Sequence, residues 1–539
     1  MKYTKLAALG LAAALAFAGC SSGNNESPSD NAGGGTPLAG NPGANKAVRQ
    51  AVAQLIDRDA ITQNAYDGIK TPAYSIVPKG FEGEKDSFKD KYGDPNEDAA
   101  AKILSDAGIA TPVNLTLGYP PEHYGAEAVD EANELAKQLE DSGLFKVNIK
   151  SAAWEEYQSL YKEQAYDLYL LGWYPDFLDA DNYLSPFIVD GGFFKNGYSS
   201  EEVNKLIDEE LAETDTATRD GIIGQLQDIV AEDVPLVPSW NGKNTAVART
   251  DVKGVEETLD ANYIFRLWEV DKDGKSWTLG TTDTITMIDP AGAYDIGSWN
   301  LQYSVFEQLM RQPGADKPAV GDAAESCEYT DSKTIKCILR KGNKFSNGHD
   351  LTSSDVKFSF ERNLLINEPD GASILLASIA DNPGEEGQKL SEGAIETPDD
   401  TTVIFHLNKE DTTFLSVLAT GPASIVDEEV YAKDKLMTND ADNIGSGSLT
   451  IKAFTKGQQG SFAKNDKYSG NRPAQSEQVL VQYFTDASPL RQAIESGEID
   501  VAWRTLSPTD LTSLESVEGV KVYNGEGSEF RYWVFQCAE

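Results

Sequence analysis

The chain has 539 residues, more than one hydrophobic core accommodates, so two to four structural units are expected. Its 87 acidic side chains outnumber 46 basic ones, for a formal charge of −41. That balance argues against nucleic-acid binding, which needs clustered Lys and Arg, and the acids are spread so evenly that they read as a solvated surface.

In chain order, Lys2 and Lys5 precede an apolar run over residues 6–18 that is too short to span a membrane as a mature helix. The run closes on Phe17-Ala18-Gly19-Cys20, which resembles the end of a bacterial lipoprotein signal, with Cys20 as the lipid-modified N-terminus. An ordinary secretory signal is the alternative. Residues 21–43, rich in Ser, Asn, Gly and Pro from residue 24, predict a flexible tether. Signal and tether together imply a body held by a lipid anchor on the extracytoplasmic face of a bacterial cell membrane.

Apolar residues at helical spacing predict helices over 46–66, 94–108, 126–142, 157–165, 200–211 and 216–231. Alternation predicts strands over 113–119, 145–151 and 166–171, so the first half reads as an α/β layer. Residues 233–240, with two prolines, look like a crossing between units. Beyond residue 275 the elements shorten: strands over 277–282, 336–340, 402–407, 479–484, 520–523 and 531–535, and helices over 298–310, 353–365 and 489–496. Around Cys327 and Cys337 the alternation predicts a hairpin turning near Ser332. That register sets the two cysteines opposite each other within reach of a disulfide, with two free thiols as the alternative. Cys537 is left without a partner and is assigned no chemistry.

The stretch 172–187, GWYPDFLDADNYLSPF, follows the apolar strand and places Trp173, Asp176, Asp179 and Asp181 at its tip. An aromatic beside a partly buried carboxylate suits a cation or ammonium group; a surface loop of solvated acids is the plainer alternative.

Four segments together resemble the family 5 extracellular solute-binding proteins, the dipeptide- and oligopeptide-binding lipoproteins of ABC importers. They are CILRKGNKFSNGHDLTSSDVKFSFER (337–362), ESGEIDVAWRTLSPTDL (495–511), AVRQAVAQLIDRDAI (47–61) and GWYPDFLDADNYL (172–184). The resemblance covers nearly all of residues 44–535, but the halves stand in exchanged order. In the family the part like 277–536 comes first and the part like 44–270 follows. A circular permutation, with the original ends joined through residues 271–275, accounts for this; a rearranged gene sequence is the alternative. The expected domains are therefore 44–235, matching the C-terminal half of the family, and 236–539, matching its N-terminal half and returning segment. Only one covalent crossing, near residues 235–240, is predicted to join them.

The resemblance implies an α/β, two-lobed, periplasmic-binding-protein-like fold with a ligand cleft between the lobes. It implies a monomeric, non-enzymatic receptor for a short peptide that serves an ABC permease, with no cofactor and no metal. Asp176, in a pattern like Trp-x-x-Asp with Trp173, is implied to take the peptide ammonium. On the other lobe Trp503 and Arg504 stand where the family offers ligand-facing residues, and Arg504 could meet a carboxylate. Asp179 and Asp181 suit capping or turn roles better, and Trp240, Tyr294 and Trp299 read as core or rim aromatics. Two other functions stay open: the same fold carrying a metal chelate or oligosaccharide, and a secreted hydrolase. His123, His349 and His406 are scattered singly, which suits direct metal ligation poorly. No G-x-S-x-G elbow, H-E-x-x-H or paired Cys-His pattern marks a hydrolase.

Overall fold

A computed structural model describes residues 40–121, 123–125, 127–314, 317–385 and 387–538; the predicted signal, Cys20 and most of the tether lie outside them. The largest sheet takes its strands from both halves of the chain: β1 (Val113–Tyr119), β2 (Phe145–Ser151), β3 (Leu168–Trp173), β4 (Leu236–Arg249), β5 (Ser276–Thr281), β6 (Leu449–Thr455), β7 (Gln459–Lys464), β8 (Gln478–Tyr483), β9 (Val501–Trp503) and β10 (Val520–Phe535). Their spatial order is β6-β7-β8-β5-β9-β4-β10-β3-β1-β2. Residues 168–171 of β3 are apolar without alternation and all buried, as a strand covered on both faces requires. β1 and β2 run parallel, and the helix Ala128–Asp141 that connects them buries Ala128, Ala132, Leu135 and Leu139, spaced four, three and four apart.

β4 and β10 hold the two sides together. They pair antiparallel from Val520–Arg249 at one end to Val534–Leu236 at the other, with register shifts between Glu526 and Phe530. On the far side of that irregularity Phe530–Phe535 pairs with β3 and enters the core built from residues 48–240. The chain therefore crosses twice, through β4 and through β10, and the predicted single crossing is corrected. Residues 520–523 and 531–535, predicted as separate strands, form one long strand because β4 offers a continuous partner to both.

The remainder packs around separate apolar clusters. One gathers β5, β9 and the helix Ile296–Val305, which is shorter than the predicted 298–310. The helix stops because tertiary donors take its last carbonyls: Gly447 N donates to Val305 O at 2.8 Å and Arg472 Nη2 to Phe306 O at 3.0 Å. Residues 310–311 instead form a two-residue strand paired with Val320–Gly321. Another cluster lies under a four-stranded sheet that includes the hairpin Ala324–Asp331 and Thr334–Leu339. There Cys327 faces Cys337 in register and the two are bonded, with S–S 1.98 Å.

Helix Ser353–Ile366 covers that sheet and starts in a capping box. Thr352 accepts from the backbone, and Asp355 Oδ2 in turn accepts from Thr352 N at 2.8 Å. Thr352→Ala is expected to lower stability by about 1 kcal/mol, read as a lower denaturant midpoint at unchanged slope.

The tether ends earlier than the predicted residue 43. Asn41 caps the turn Pro42–Ala44, and its Nδ2 donates to Gln536 O at 2.7 Å and Ala538 O at 2.8 Å. Asn41 thus belongs to the folded body, because the carbonyls beyond β10 supply partners that composition does not reveal.

Candidate functional site

The site grows from the tip of β3. Gly172 is opposite Arg531 in register, and the absence of a Cβ leaves room for the Arg531 guanidinium against the backbone. After Trp173 the chain turns, and one side chain sets the turn. Asn182 Oδ1 accepts from Trp173 Nε1 and from Asp176 N, both at 2.9 Å. Asp179 caps the short helix Ala180–Tyr183 and takes a bidentate pair from Arg219 at 2.7 and 2.9 Å, while Asp181 bonds Ser185. Both acids hold the turn, and Asp176 alone of the three turns into the cavity.

That cavity has a volume of about 330 Å³ and is lined on one side by residues 173–178. The opposite wall comes from the other half of the chain. Asp289, buried, accepts from Ala291 N and starts the turn Pro290–Gly292, which leads to Tyr294, Trp299 and Tyr303. The rings of Tyr294 and Trp299 stack with centroids 5.7 Å apart. The Tyr294 hydroxyl donates to Asp176 Oδ1, linking the two walls. Burial raises the Asp176 carboxyl above its ordinary value, and hydrogen bonds from Tyr294 and Asn182 partly offset this. No Lys, Arg or His among the described residues pairs with it; its recorded partners are neutral. An anionic carboxylate beside aromatic walls in a concave space is arranged to receive a cation supplied from outside the chain.

Asp176 and Trp173 thus meet in one cavity; Trp503 and Arg504 do not join them. Trp503 is 1% exposed, donates from Nε1 to Asn244 Oδ1 at 2.9 Å and packs on Phe265. It is a core residue, which corrects the ligand-facing expectation: β9 is an interior strand, paired on one side with β4 and on the other with β5. Arg504 lines a neighbouring compartment of about 280 Å³ with Lys70, Lys243 and Glu529. Tyr174 and Tyr263 line both compartments and form the partition. The Arg504 guanidinium lies 5.7 Å from the Tyr174 ring and pairs with Asp283 at 3.3 Å. Its backbone and that of Thr505 both sit at φ +63°, a left-handed conformation that is costly for a β-branched threonine.

Tyr294 and Trp299, discounted from sequence as rim or core, form the facing wall; Tyr303, Asn262, Tyr263 and Gln312 were not anticipated. The Asp-Pro turn before Tyr294 was the available signal. Trp240 is buried, with Nε1 donating to Glu131 at 2.9 Å, and lines the neighbouring compartment. Among the described residues no group of three or more His, Cys, Asp or Glu could hold a metal ion, and no helix is long and apolar enough to cross a membrane. Cys537 is a free, half-buried thiol, pushed up to about 11 by burial.

The model of the bacterial extracellular solute-binding proteins, family 5, matches residues 24–195 and 319–539. The chain is 31% identical over 244 residues to a protein of Escherichia coli (strain K12) named as a probable D,D-dipeptide-binding periplasmic protein, over 44% of each chain. It is 28% identical over 219 residues to an oligopeptide-binding protein of Bacillus subtilis (strain 168), over 39% of this chain and 40% of that one. Each match thus spans less than half of the relative's own length. Among solved structures, the Haemophilus influenzae oligopeptide-binding protein in complex with RPPGFSPFR matches with a TM-score of 0.40 at 20% identity, over 45% of this chain and 48% of that one. With its matched segments on both sides of the cavity, the chain belongs to family 5 of the bacterial extracellular solute-binding proteins.

Proposed function

We propose that this protein is a non-enzymatic receptor that captures short peptides at Asp176 and hands them to the permease of an ABC importer. The observation that carries it is the half-buried Asp176 carboxylate, which faces an aromatic cavity without a cationic partner among the described residues. A free peptide N-terminus supplies the missing charge and displaces the Tyr294 hydroxyl. Trp173 forms the apolar wall beside it, and backbone groups in the cleft pair with the peptide main chain, which tolerates varied side chains. Arg504, in the compartment behind Tyr174 and Tyr263, meets the far end of a longer peptide. The relatives named above as peptide-binding proteins are consistent with this cargo. Cys20 carries the lipid that holds the monomeric receptor at the membrane.

Calorimetry with di- to pentapeptides tests the reading. Free-amine peptides are expected to bind, and their N-acetylated counterparts to lose most of that affinity. Failure of every free-amine peptide to bind would sink it, and turnover of the ligand would point to an enzyme.

The exchanged halves are part of the same proposal, as a circular permutation. Its support is the contact of Asn41 with Gln536 and Ala538, since segments that adjoin in space can be joined or opened without disturbing the core. Intact mass and terminal peptide mapping of the native protein decide it, and the usual order of halves would refute it.

A further inference from the structure

The turn that carries Asp176 rests on a buried ion network. Arg219, on the helix Thr216–Asp233, commits all three of its guanidinium nitrogens there. Nη1 and Nη2 hold both oxygens of Asp179, and Nε donates to Glu210 Oε2 at 2.8 Å. Glu210 lies near the end of the helix Glu201–Ala212 and is fully buried, and Asp181 is 6% exposed. Glu210 Oε1 receives no N–H or hydroxyl donor, and the carboxyl that meets Glu210 is that of Asp181.

Two carboxyl groups hydrogen-bond each other only when one of them keeps a proton. The charge balance requires the same proton. With Asp179, Asp181 and Glu210 all ionised, three carboxylates would face a single guanidinium. The other titratable groups around them, Asp220 on the Arg219 helix and Tyr329 from the opposite lobe, supply no further cation. Burial, and then the Asp181 charge, hold the Glu210 carboxyl well above its ordinary value, and Arg219 offsets this in part.

The network reaches the ligand turn through one residue. Asp179 Oδ1 accepts from Asp181 N and caps the short helix on which Asn182 sits. Asn182 in turn fixes Trp173 Nε1 and Asp176 N. On its other side the network meets the opposite lobe. Thr412 N donates to Leu211 O at 3.0 Å and Thr412 Oγ1 to Glu210 O at 3.3 Å, taking carbonyls that the helix end leaves free. Once the shared proton leaves, Asp181 and Glu210 repel, and Arg219 has no nitrogen left for the new charge. Asp181, the less buried of the two, then moves toward water and takes Asn182 with it.

We propose that Glu210 is a positioning residue for the ligand turn, and that the proton it shares with Asp181 keeps Asp176 seated. Loss of that proton as pH rises unseats the turn and weakens peptide binding. The inference rests on the peptide reading above and adds a regulation to it.

Calorimetry with one free-amine peptide, from about pH 5.5 to about pH 9.5, compares the full chain with Glu210→Gln, whose amide keeps a permanent N–H toward Asp181. Asp176 and the peptide amine titrate alike in both chains, so the ratio of the two affinities isolates the pair. Across that range the wild type is expected to lose about tenfold relative to Glu210→Gln, the scale of one hydrogen bond to a charged group. Asp181→Asn, which puts the permanent N–H on the other partner, should flatten the profile in the same way. A ratio that stays constant or rises with pH overturns the inference.

The turn can also be followed without peptide. Tryptophan labelled with heavy nitrogen gives eight indole N–H signals, and the one lost in Trp173→Phe reports the bond to Asn182. In ligand-free protein that signal should move further with rising pH in wild type than in Glu210→Gln. If no peptide binds, this difference still supports the switch, and equal movement in the two chains refutes it. Equal movement while peptides bind overturns the switch and leaves the peptide reading intact. A melting curve that matches wild type at the acidic end of the range establishes that Glu210→Gln folds; if it does not, Asp181→Asn carries both comparisons.

Discussion

Asp176→Asn is expected to weaken binding of a free-amine peptide by about 2–5 kcal/mol, or roughly 30- to 5,000-fold. The loss arises because the ligand ammonium would then be desolvated with no anion to meet it. Folding stability should not fall with it. Burial raises the Asp176 carboxyl, so at neutral pH its ionised form costs the folded state free energy, and that cost is relieved as pH falls through the raised value. The variant should therefore melt at or slightly above the wild-type temperature at neutral pH, and the two should converge on acidification. Peptide affinity of the wild type moves the other way and declines through the same pH window, beginning above the ordinary carboxylate range. Calorimetry and melting curves from neutral to acidic pH check both. Retained affinity in Asp176→Asn would show that the ammonium sits elsewhere.

Arg362→Met is expected to lower stability by about 3–5 kcal/mol, the cost of leaving a buried carboxylate unpaired. Arg362 is 1% exposed and makes a bidentate pair with Asp289 at 2.8 and 2.5 Å, with further bonds to Ala432 O and Lys435 O. Asp289 is fully buried and also accepts from Ala291 N and Met437 N, so the pair anchors the turn that presents Tyr294 and Trp299. Urea denaturation should show a lower midpoint. Arg362→Met combined with Asp289→Leu should recover part of the loss, because no unpaired charge then remains. Peptide affinity should also fall in the single variant, since the facing wall loses its support. An unchanged midpoint would mean that water or neighbouring groups already satisfy Asp289.

Most elements were legible because hydrophobic spacing is a local property. The helix from Ser353 could be read from its cap and apolar spacing, and the hairpin at Cys327 and Cys337 from alternation and turn residues. Errors arose where a distant segment supplied hydrogen bonds. Residues 306–310 looked helical, yet Gly447 and Arg472 take carbonyls at that helix end and release the chain into the short strand Met310–Arg311. β10 looked like two strands because only its pairing with β4 makes it one.

The site divides the same way. The aromatic and acidic tip of β3 is contiguous in sequence, so Trp173 and Asp176 could be named together, and the local residues Asp179 and Asn182 shape the turn. Trp503 was misplaced because whether a strand residue faces a cleft or a core depends on the layers stacked around it. Local order along this chain thus determined its elements, its family signatures and one wall of the cavity. Only the tertiary structure decided that the wall facing Asp176 is Tyr294 and Trp299 and that two strands join the lobes. Those outcomes depend on contacts between residues tens to hundreds of positions apart, where burial and unmet hydrogen-bonding capacity are properties of the packed whole.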